Sequence, residues 1–298
     1  MLPSKKKMNI SFVIVSFKSF HLVEKIIESI PKENEIIIIE NSLDNNLKNK
    51  IENLYSNVQV IIPKKNLGYG KALNLGIKKS KGKYAICMVA DISLEKKCLI
   101  EISNILNVFD DFSILSPTYL DERIYKNYAI NKKNINKYKV KNILSHSLKE
   151  VDDIDGAIMI INKEKFFNKE IFDENIFLYF ENTDLCLRVK KNNEKVYIIK
   201  NLKFTHYGLK SSHSIYQNEV LKSRSWHYCW SKFYLYRKHY SYLLALRKTL
   251  PNLIKAIKFC IYYKIKKNDF KFQLHKHEFF GLLNAYFLKK SDYRPNIK

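Results

Sequence analysis

The sequence predicts an α/β fold: a mostly parallel sheet flanked by helices, followed by a helical, basic C-terminal region. Three observations predict it. The first half of the 298-residue chain alternates continuous apolar runs with amphipathic stretches. Strands that are apolar at every position belong to sheets covered on both faces, which is the habit of parallel α/β sheets. Beyond about Ser212 the strand patterns stop, and helical patterns crowded with aromatic residues and lysine take over. A hydrophobic content of 46% is enough for a sizeable core and excludes global disorder.

The elements follow in order. ISFVIVSF (10–17) is a buried-strand run, and HLVEKIIESI (21–30) places its apolar residues at helical spacing. EIIIIE (35–40) and VQVIIP (58–63) are the second and third strands. KALNLGIKKS (71–80) is a helix, YAICMVAD (84–91) the fourth strand, LEKKCLIEISNIL (94–106) a helix and FSILSP (112–117) a further strand. Residues 119–150 are polar and rich in Asn and Lys, and read as a less regular insertion. AIMIIN (157–162) restores a strand, FENTDLCLRVKKN (180–192) is a helix and VYIIK (196–200) the last strand of this pattern. The expected division is a tail at 1–8, a sheet domain at 9–212 and a helical region at 213–298.

Charge separates the regions. The formal net charge is +24, and residues 201–298 hold 20 Lys and Arg against 4 Asp and Glu. A basic final third calls for an anionic partner: a membrane surface, a nucleic acid or a phosphate-bearing substrate. LPNLIKAIKFCI (250–261) sets Leu250, Leu253, Ile254, Ile257 and Ile261 on one stripe, with Lys248, Lys255 and Lys258 on the other side. That is an amphipathic basic helix, suited either to packing on the sheet domain or to lying on an anionic bilayer. No uncharged apolar stretch reaches the ~18–20 residues of a membrane span. Five cysteines without CxxC or Cys/His spacing fit reduced thiols in a cytoplasmic protein. MLPSKKK runs directly into a strand and does not resemble a cleavable leader.

Ligands of parallel α/β sheets bind at the carboxyl ends of the strands. Polar groups gather there at four strand ends. The first strand is followed by Ser16 and Phe17, the second by Glu40 and Asn41. The third is followed by NLGYGKALNLG (66–76), which holds Asn66, Gly68, Lys71 and Asn74, and the fourth by Asp91. Glycines at 68, 70 and 76 let a ligand approach the backbone, and the helix start behind them favours phosphate. The pattern is not GxGxxG, which argues against a dinucleotide fold. Asp91 is either a cap or turn residue, or a hard oxygen ligand for Mg²⁺ or Mn²⁺ beside a diphosphate. Glu181 and Asp184 share one face of a helix start. They are either an ordinary acidic first turn or an acid/base centre.

Taken together and in this order, these segments resemble glycosyltransferase family 2. FVIVSFKS, IIIIENSLDN, NLGYGKALNLGIKKSKGKY, YAICMVADISL, DIDGAIMIINKEKF, IFDENIFLYFENTDLCLRVKK and THYGLKSS carry the resemblance over roughly 9–212, closest to bacterial rhamnosyltransferase-like enzymes of surface polysaccharide synthesis. It implies a GT-A fold and inverting transfer of a sugar from a nucleoside diphosphate donor to a hydroxyl of a glycan or lipid-linked acceptor, at the inner face of the cytoplasmic membrane. By position, Ser16, Phe17, Glu40, Asn41, Asn66, Gly68, Lys71 and Asn74 would meet the donor nucleotide, with Glu40 on the base or ribose. Asp91 would be the last residue of the metal-binding DxD motif, whose first acidic position is Val89 here. His206 would reach the metal or diphosphate, and Gly156 and Ala157 would line the acceptor side. FENTD would be the acceptor-site acidic segment. Asn182 stands where many relatives have Asp, so the base is Glu181 or Asp184, with Glu181 narrowly preferred and Asp184 supporting. Arg188, one turn beyond Asp184, would pair with it and make it a poorer base. The implied cofactor is a divalent cation, and the implied partners are a nucleoside diphosphate sugar, the acceptor and a membrane surface, with a homodimer left open. Two other classes stay in view. Val89 and Asn182 are the features of a catalytically inactive sugar-nucleotide-binding protein. Charge and aromatics are those of a nucleic-acid binder, although no nucleic-acid motif is found and no nucleic-acid partner is expected.

Overall fold

The protein is described by a computed structural model over residues 9–166, 170–207 and 214–295. The tail expected at 1–8 and the boundary expected at 212 lie outside these residues. The chain runs β1 (Ile10–Ser16), α1 (Phe20–Ser29), β2 (Glu35–Glu40), α2 (Asn45–Leu54), β3 (Val58–Ile61), α3 (Tyr69–Lys79), β4 (Tyr84–Val89), β5 (Ile92–Ser93) and α4 (Lys96–Val108). It continues through β6 (Ile114–Tyr119), β7 (Tyr128–Ala129), β8 (Val140–Ile143), β9 (His146–Glu150), β10 (Asp153–Ile154), β11 (Ile158–Asn162), α5 (Glu181–Lys191) and β12 (Val196–His206). Three helices follow: α6 (Gln217–His239), α7 (Tyr242–Ile265) and α8 (Asp269–Tyr286).

The central sheet has the order β3-β2-β1-β4-β11-β6-β12-β9-β8. β1, β2, β3 and β4 are parallel neighbours, as are β6 and β12. β11 runs antiparallel between β4 and β6. The all-apolar runs are explained by two covered faces. Ile36 and Ile38 of β2 join the α1, α2 and α4 side of the core, while Ile37 and Ile39 face Ala72 of α3. On that second side Leu73 and Ile77 of α3 pack with Leu185 and Val189 of α5.

The polar stretch at 119–150 is more regular than its composition suggests. β8 and β9 form an antiparallel hairpin that extends the sheet beyond β12. β8 is an edge strand, exposed at Val140, Lys141 and Asn142. An edge needs no second apolar face and is protected by charge, so its sequence does not read as a core strand.

β12 outruns its expected end at Lys200. Its register against β6 shifts between Ile199 and Lys203, and the strand then continues to pair β5 through Thr205 and His206. α6, α7 and α8 share an aromatic core of Trp226, Trp230, Phe233, Ala245 and Ala285. α6 fastens this unit to the loop before α5: Ser231 donates to the Leu178 carbonyl at 2.8 Å and Tyr234 to Asp173 at 2.9 Å.

Candidate active site

One cavity of about 270 Å³ opens at the carboxyl ends of β1 and β4 and is closed by α5 and α6. Nine of the expected site residues line it: Phe17, Asn41, Asn66, Gly68, Asp91, Gly156, Ala157, Glu181 and His206. Five do not. Ser16 and Glu40 are fully buried. Glu40 accepts from the Ser42 amide at 2.7 Å and from its hydroxyl; burial raises its pKa, and those hydrogen bonds only partly offset it. Lys71 points to the other side of its helix, where it pairs with Glu174. Asn74 clamps the backbone at Phe172, donating to its carbonyl at 2.8 Å and accepting from its amide at 2.9 Å. Asp184 lies under α6.

The glycine-rich segment holds a different neighbour from the expected one. Gly68 sits at φ +79°, and a Cβ there would come within 2.2 Å of the Phe177 carbonyl oxygen. The Tyr69 amide donates to that same carbonyl at 2.9 Å. The backbone that needs this close approach is the protein's own, at the loop leading into α5. Asn41 completes the clasp, donating to the Gly68 carbonyl at 2.9 Å and accepting from the Leu67 amide at 3.1 Å.

Asp91 follows β4 and is 2% exposed. The antiparallel β5–β12 pair brings His206 beside it: Thr205 is opposite Ser93, His206 opposite Ile92, and the Tyr207 amide donates to the Asp91 carbonyl at 3.0 Å. His206 Nε2 stands 3.3 Å from Asp91 Oδ1, within ion-pair range, yet neither carboxylate oxygen has a hydrogen-bond partner among the described residues. Burial disfavours the imidazolium, but the Asp91 carboxylate outweighs it and raises the His206 pKa. Among the described residues no three His, Cys, Asp or Glu side chains converge to hold a metal ion by themselves.

Glu181 and Asp184 occupy one helical turn and opposite environments. Glu181 is 5% exposed, its Oε2 has no hydrogen-bond partner, and burial pushes its pKa up to about 7. Just before it, Tyr179 and Phe180 have φ of 67° and 68°, a left-handed conformation costly for bulky side chains. Asp184 is 0% exposed and held by two cations and an imidazole: Arg188 Nε at 2.8 Å, Lys238 Nζ at 2.5 Å and His239 Nε2 at 2.8 Å. Burial alone would raise its pKa; those three partners overcome it and hold it at about 2. The expected Asp184–Arg188 pair is present, and α6 adds Lys238 and His239, two partners that no helix pattern announces.

Of the lining residues outside the expected set, three bear most on the site: Asp155, Tyr69 and Arg224. Asp155 accepts from the Ala157 amide at 2.6 Å and from the Tyr125 hydroxyl. Tyr69 donates to the Gly156 carbonyl at 2.6 Å, fixing that loop over Glu181. Arg224 reaches the cavity from α6. Its signal was the basic C-terminal third; that of Asp155 was its place beside Gly156.

The sequence model of glycosyl transferase family 2 matches residues 11–175, ending before α5. A low-salt glycan biosynthesis hexosyltransferase of Haloferax volcanii is 24% identical over 73% of this chain and 76% of its own length. A dTDP-rhamnosyl transferase of Shigella flexneri is 27% identical over 83% of this chain and 86% of its own. Among solved structures, the mannosyltransferase of Pyrobaculum calidifontis in complex with GDP-mannose and Mn²⁺ superposes with a TM-score of 0.56 at 9% identity, over 96% and 89% of the two chains. GalNAc-T7 with UDP, GalNAc and Mn²⁺ gives a TM-score of 0.53 at 15% identity, over 84% of this chain and 58% of its own length. These structures share the fold, which is GT-A. The chain belongs to glycosyl transferase family 2 and is a glycosyltransferase.

Proposed function

We propose that the chain moves a hexose from a nucleoside diphosphate sugar to a hydroxyl of a glycan or lipid-linked acceptor, with inversion at the anomeric carbon. One observation carries the reading: Asp91 and Glu181 line the same cavity, and both keep buried oxygens without partners. An unsatisfied buried oxygen costs about 1–3 kcal/mol and is uncommon in folded proteins. A ligand that completes these atoms supplies the reason to keep them. Asp91, with His206 beside it, suits a divalent cation, and diphosphate oxygens and water would complete the shell that Val89 leaves short. Such a cation neutralises charge gathering on a leaving diphosphate.

Glu181 is the base. A carboxylate with a pKa of about 7 is partly ionised at neutral pH and strong enough to take a proton. It removes the acceptor hydroxyl's proton as the new oxygen–carbon bond forms and the anomeric carbon–diphosphate bond breaks. Asp184, held by Arg188, Lys238 and His239, shapes the helix that presents Glu181. Gly156 adjoins Glu181 and Asn182, and with Ala157 they line the acceptor side of the cavity. Phe17 and Asn66 hold the nucleotide, Asn41 braces the 67–68 backbone behind them, and Arg224 faces the diphosphate. The chain works at the cytoplasmic face of a membrane, held there by α7.

A thermal-shift screen of dTDP, UDP, GDP and their sugars, with and without Mn²⁺, tests the donor site. The Shigella relative makes dTDP-rhamnose the first donor to try. One nucleotide at 100 times its Kd should add about 2.7 kcal/mol of stability. Asp91→Ala should remove the Mn²⁺-dependent part and abolish donor turnover. An equal shift in that variant overturns the metal assignment, and no shift with any nucleotide overturns the donor site. Binding without turnover across the donors would instead support the catalytically inactive reading.

A further inference from the structure

A second cavity, of about 260 Å³, lies between the start of α3, the loop at 174–177, α6 and the segment after α8. It shares only Asn66 and Phe177 with the donor cavity. Six cations line it: Lys65, Lys71, Arg237, Lys289, Lys290 and Arg294. Two carboxylates accompany them, Glu174 and Asp292. Glu174 is taken by Lys71, and none of the other five cations forms an ion pair among the described residues. These cations come from three separate parts of the chain, so the clustering is made by the fold and does not reflect a local lysine run. Converging like charges in a concave site repel one another until an anion enters, and such a site concentrates anions from solution. Its floor is aromatic, with Trp230, Phe233 and Tyr234. The Arg294 guanidinium lies 3.8 Å from the centre of the Phe177 ring, so a cation of this cavity rests on the wall it shares with the donor site.

We propose that this cavity binds a phosphate or diphosphate group carried by the acceptor. Its cations hold the phosphate while the attached hydroxyl reaches over the Asn66–Phe177 wall to Glu181. The assignment to the acceptor rests on the donor reading above; the assignment of an anion site does not.

Trp230 in the floor gives the readout, because Trp226 and Trp230 are the chain's only tryptophans. The full chain is titrated with inorganic pyrophosphate in EDTA, where no cation can hold diphosphate at Asp91, and then with geranyl diphosphate. Both ligands should change the fluorescence saturably. Arg237→Ala and Lys290→Glu should each weaken binding at least ~10-fold, consistent with losing a charge-assisted contact. Asp91→Asn should leave it unchanged. Lys290 is exposed, so its variant tests the site even where Arg237→Ala melts early. No saturable change, or binding lost with Asp91→Asn and kept in the two cation variants, overturns the site. Pyrophosphate binding with rejection of the ester overturns the acceptor assignment. The titration needs no turnover, so its failure and a failure of the donor reading are distinguishable.

Discussion

The carboxyl of Glu181 is held nearly out of water with one oxygen unpartnered, while that of Asp184, three residues on, is locked by Arg188, Lys238 and His239. The pair therefore divides into a group that can exchange a proton near neutrality and a group that cannot. Glu181→Gln keeps the shape of the side chain and removes the proposed base, so turnover should fall at least ~100-fold with donor affinity little changed. Stability gives an independent check. The pKa of Glu181 rises from 4.5 to about 7 on folding. Below 4.5 the group is protonated in both states and has no effect. Between 4.5 and 7 the unfolded chain releases the proton that the folded chain keeps, so stability declines, and above 7 the full penalty is present. A shift of this size corresponds to about 3 kcal/mol. Glu181→Gln should therefore gain stability over the wild type as pH rises from 5 to 8, measured by urea unfolding at each pH. A constant difference would mean that the carboxyl is hydrated in the free protein.

At the scale of elements, α5 and α6 are joined through Asp184, with Lys238 and His239 at the end of α6 reaching across to it. Asp184→Asn removes the buried anion that Arg188, Lys238 and His239 share, while Lys238 keeps Asp173, and should cost about 1–3 kcal/mol. Equilibrium unfolding would measure it. The wild-type pair should weaken as pH falls from 3.8 through about 2, since the depressed pKa stabilises the fold only while the carboxylate is ionised. A loss under 1 kcal/mol would show that the cations find water instead. The legibility of the fold follows from the same distinction between local and distant causes. β1 to β4, α1 and α3 to α5 can be read because burial on two faces, or on one stripe, writes its period into neighbouring residues; α2, with only Leu47 and Ile51 buried, escapes that reading. The reversed direction of β11 cannot, since an apolar run carries no arrow. The β8–β9 hairpin is hidden by its exposed edge. Asp91 and His206 are each conspicuous, but their juxtaposition depends on a two-residue β5 pairing with the far end of a bulged strand. Gly68 was legible as a close approach, and its partner, the Phe177 carbonyl, was not. Glu40 at the end of β2, and Lys71 and Asn74 in α3, are polar residues that the fold itself consumes, which position in the sequence does not reveal.

On the scale of the whole molecule, α7 is turned the unusual way round. Its buried residues are Ala245, Thr249 and Ala256, small side chains that let α6 and α8 approach closely. The large apolar stripe faces outward: Leu243, Leu250, Ile254, Ile257, Ile261 and Ile265 are between 42% and 77% exposed. A helix of a water-soluble surface would place these inside. Contiguous exposed apolar side chains mark an interaction surface, and Lys248, Lys255 and Lys258 beside the stripe select an anionic one. None of the described helices is long and apolar enough to cross a membrane; under the membrane proposal α7 would lie in the headgroup layer. Removing α7 and α8 would strip the aromatic core from α6 and confuse unfolding with release, so the test uses the surface alone. Ile254→Ser combined with Ile261→Ser should change stability by no more than about 0.5 kcal/mol. It should weaken binding to vesicles containing anionic lipid at least ~10-fold, because each side chain contributes roughly 1 kcal/mol or more on leaving water. Wild-type binding should fall with added salt and on zwitterionic vesicles, since the lysines contribute about 1 kcal/mol each near a charged surface. Co-sedimentation measures all three. If the wild type stays in solution at low salt, the stripe is not a membrane face. If it then runs as a dimer that the double substitution dissociates, the stripe joins two copies of the chain, and the acceptor must be delivered to the cavity by some other route.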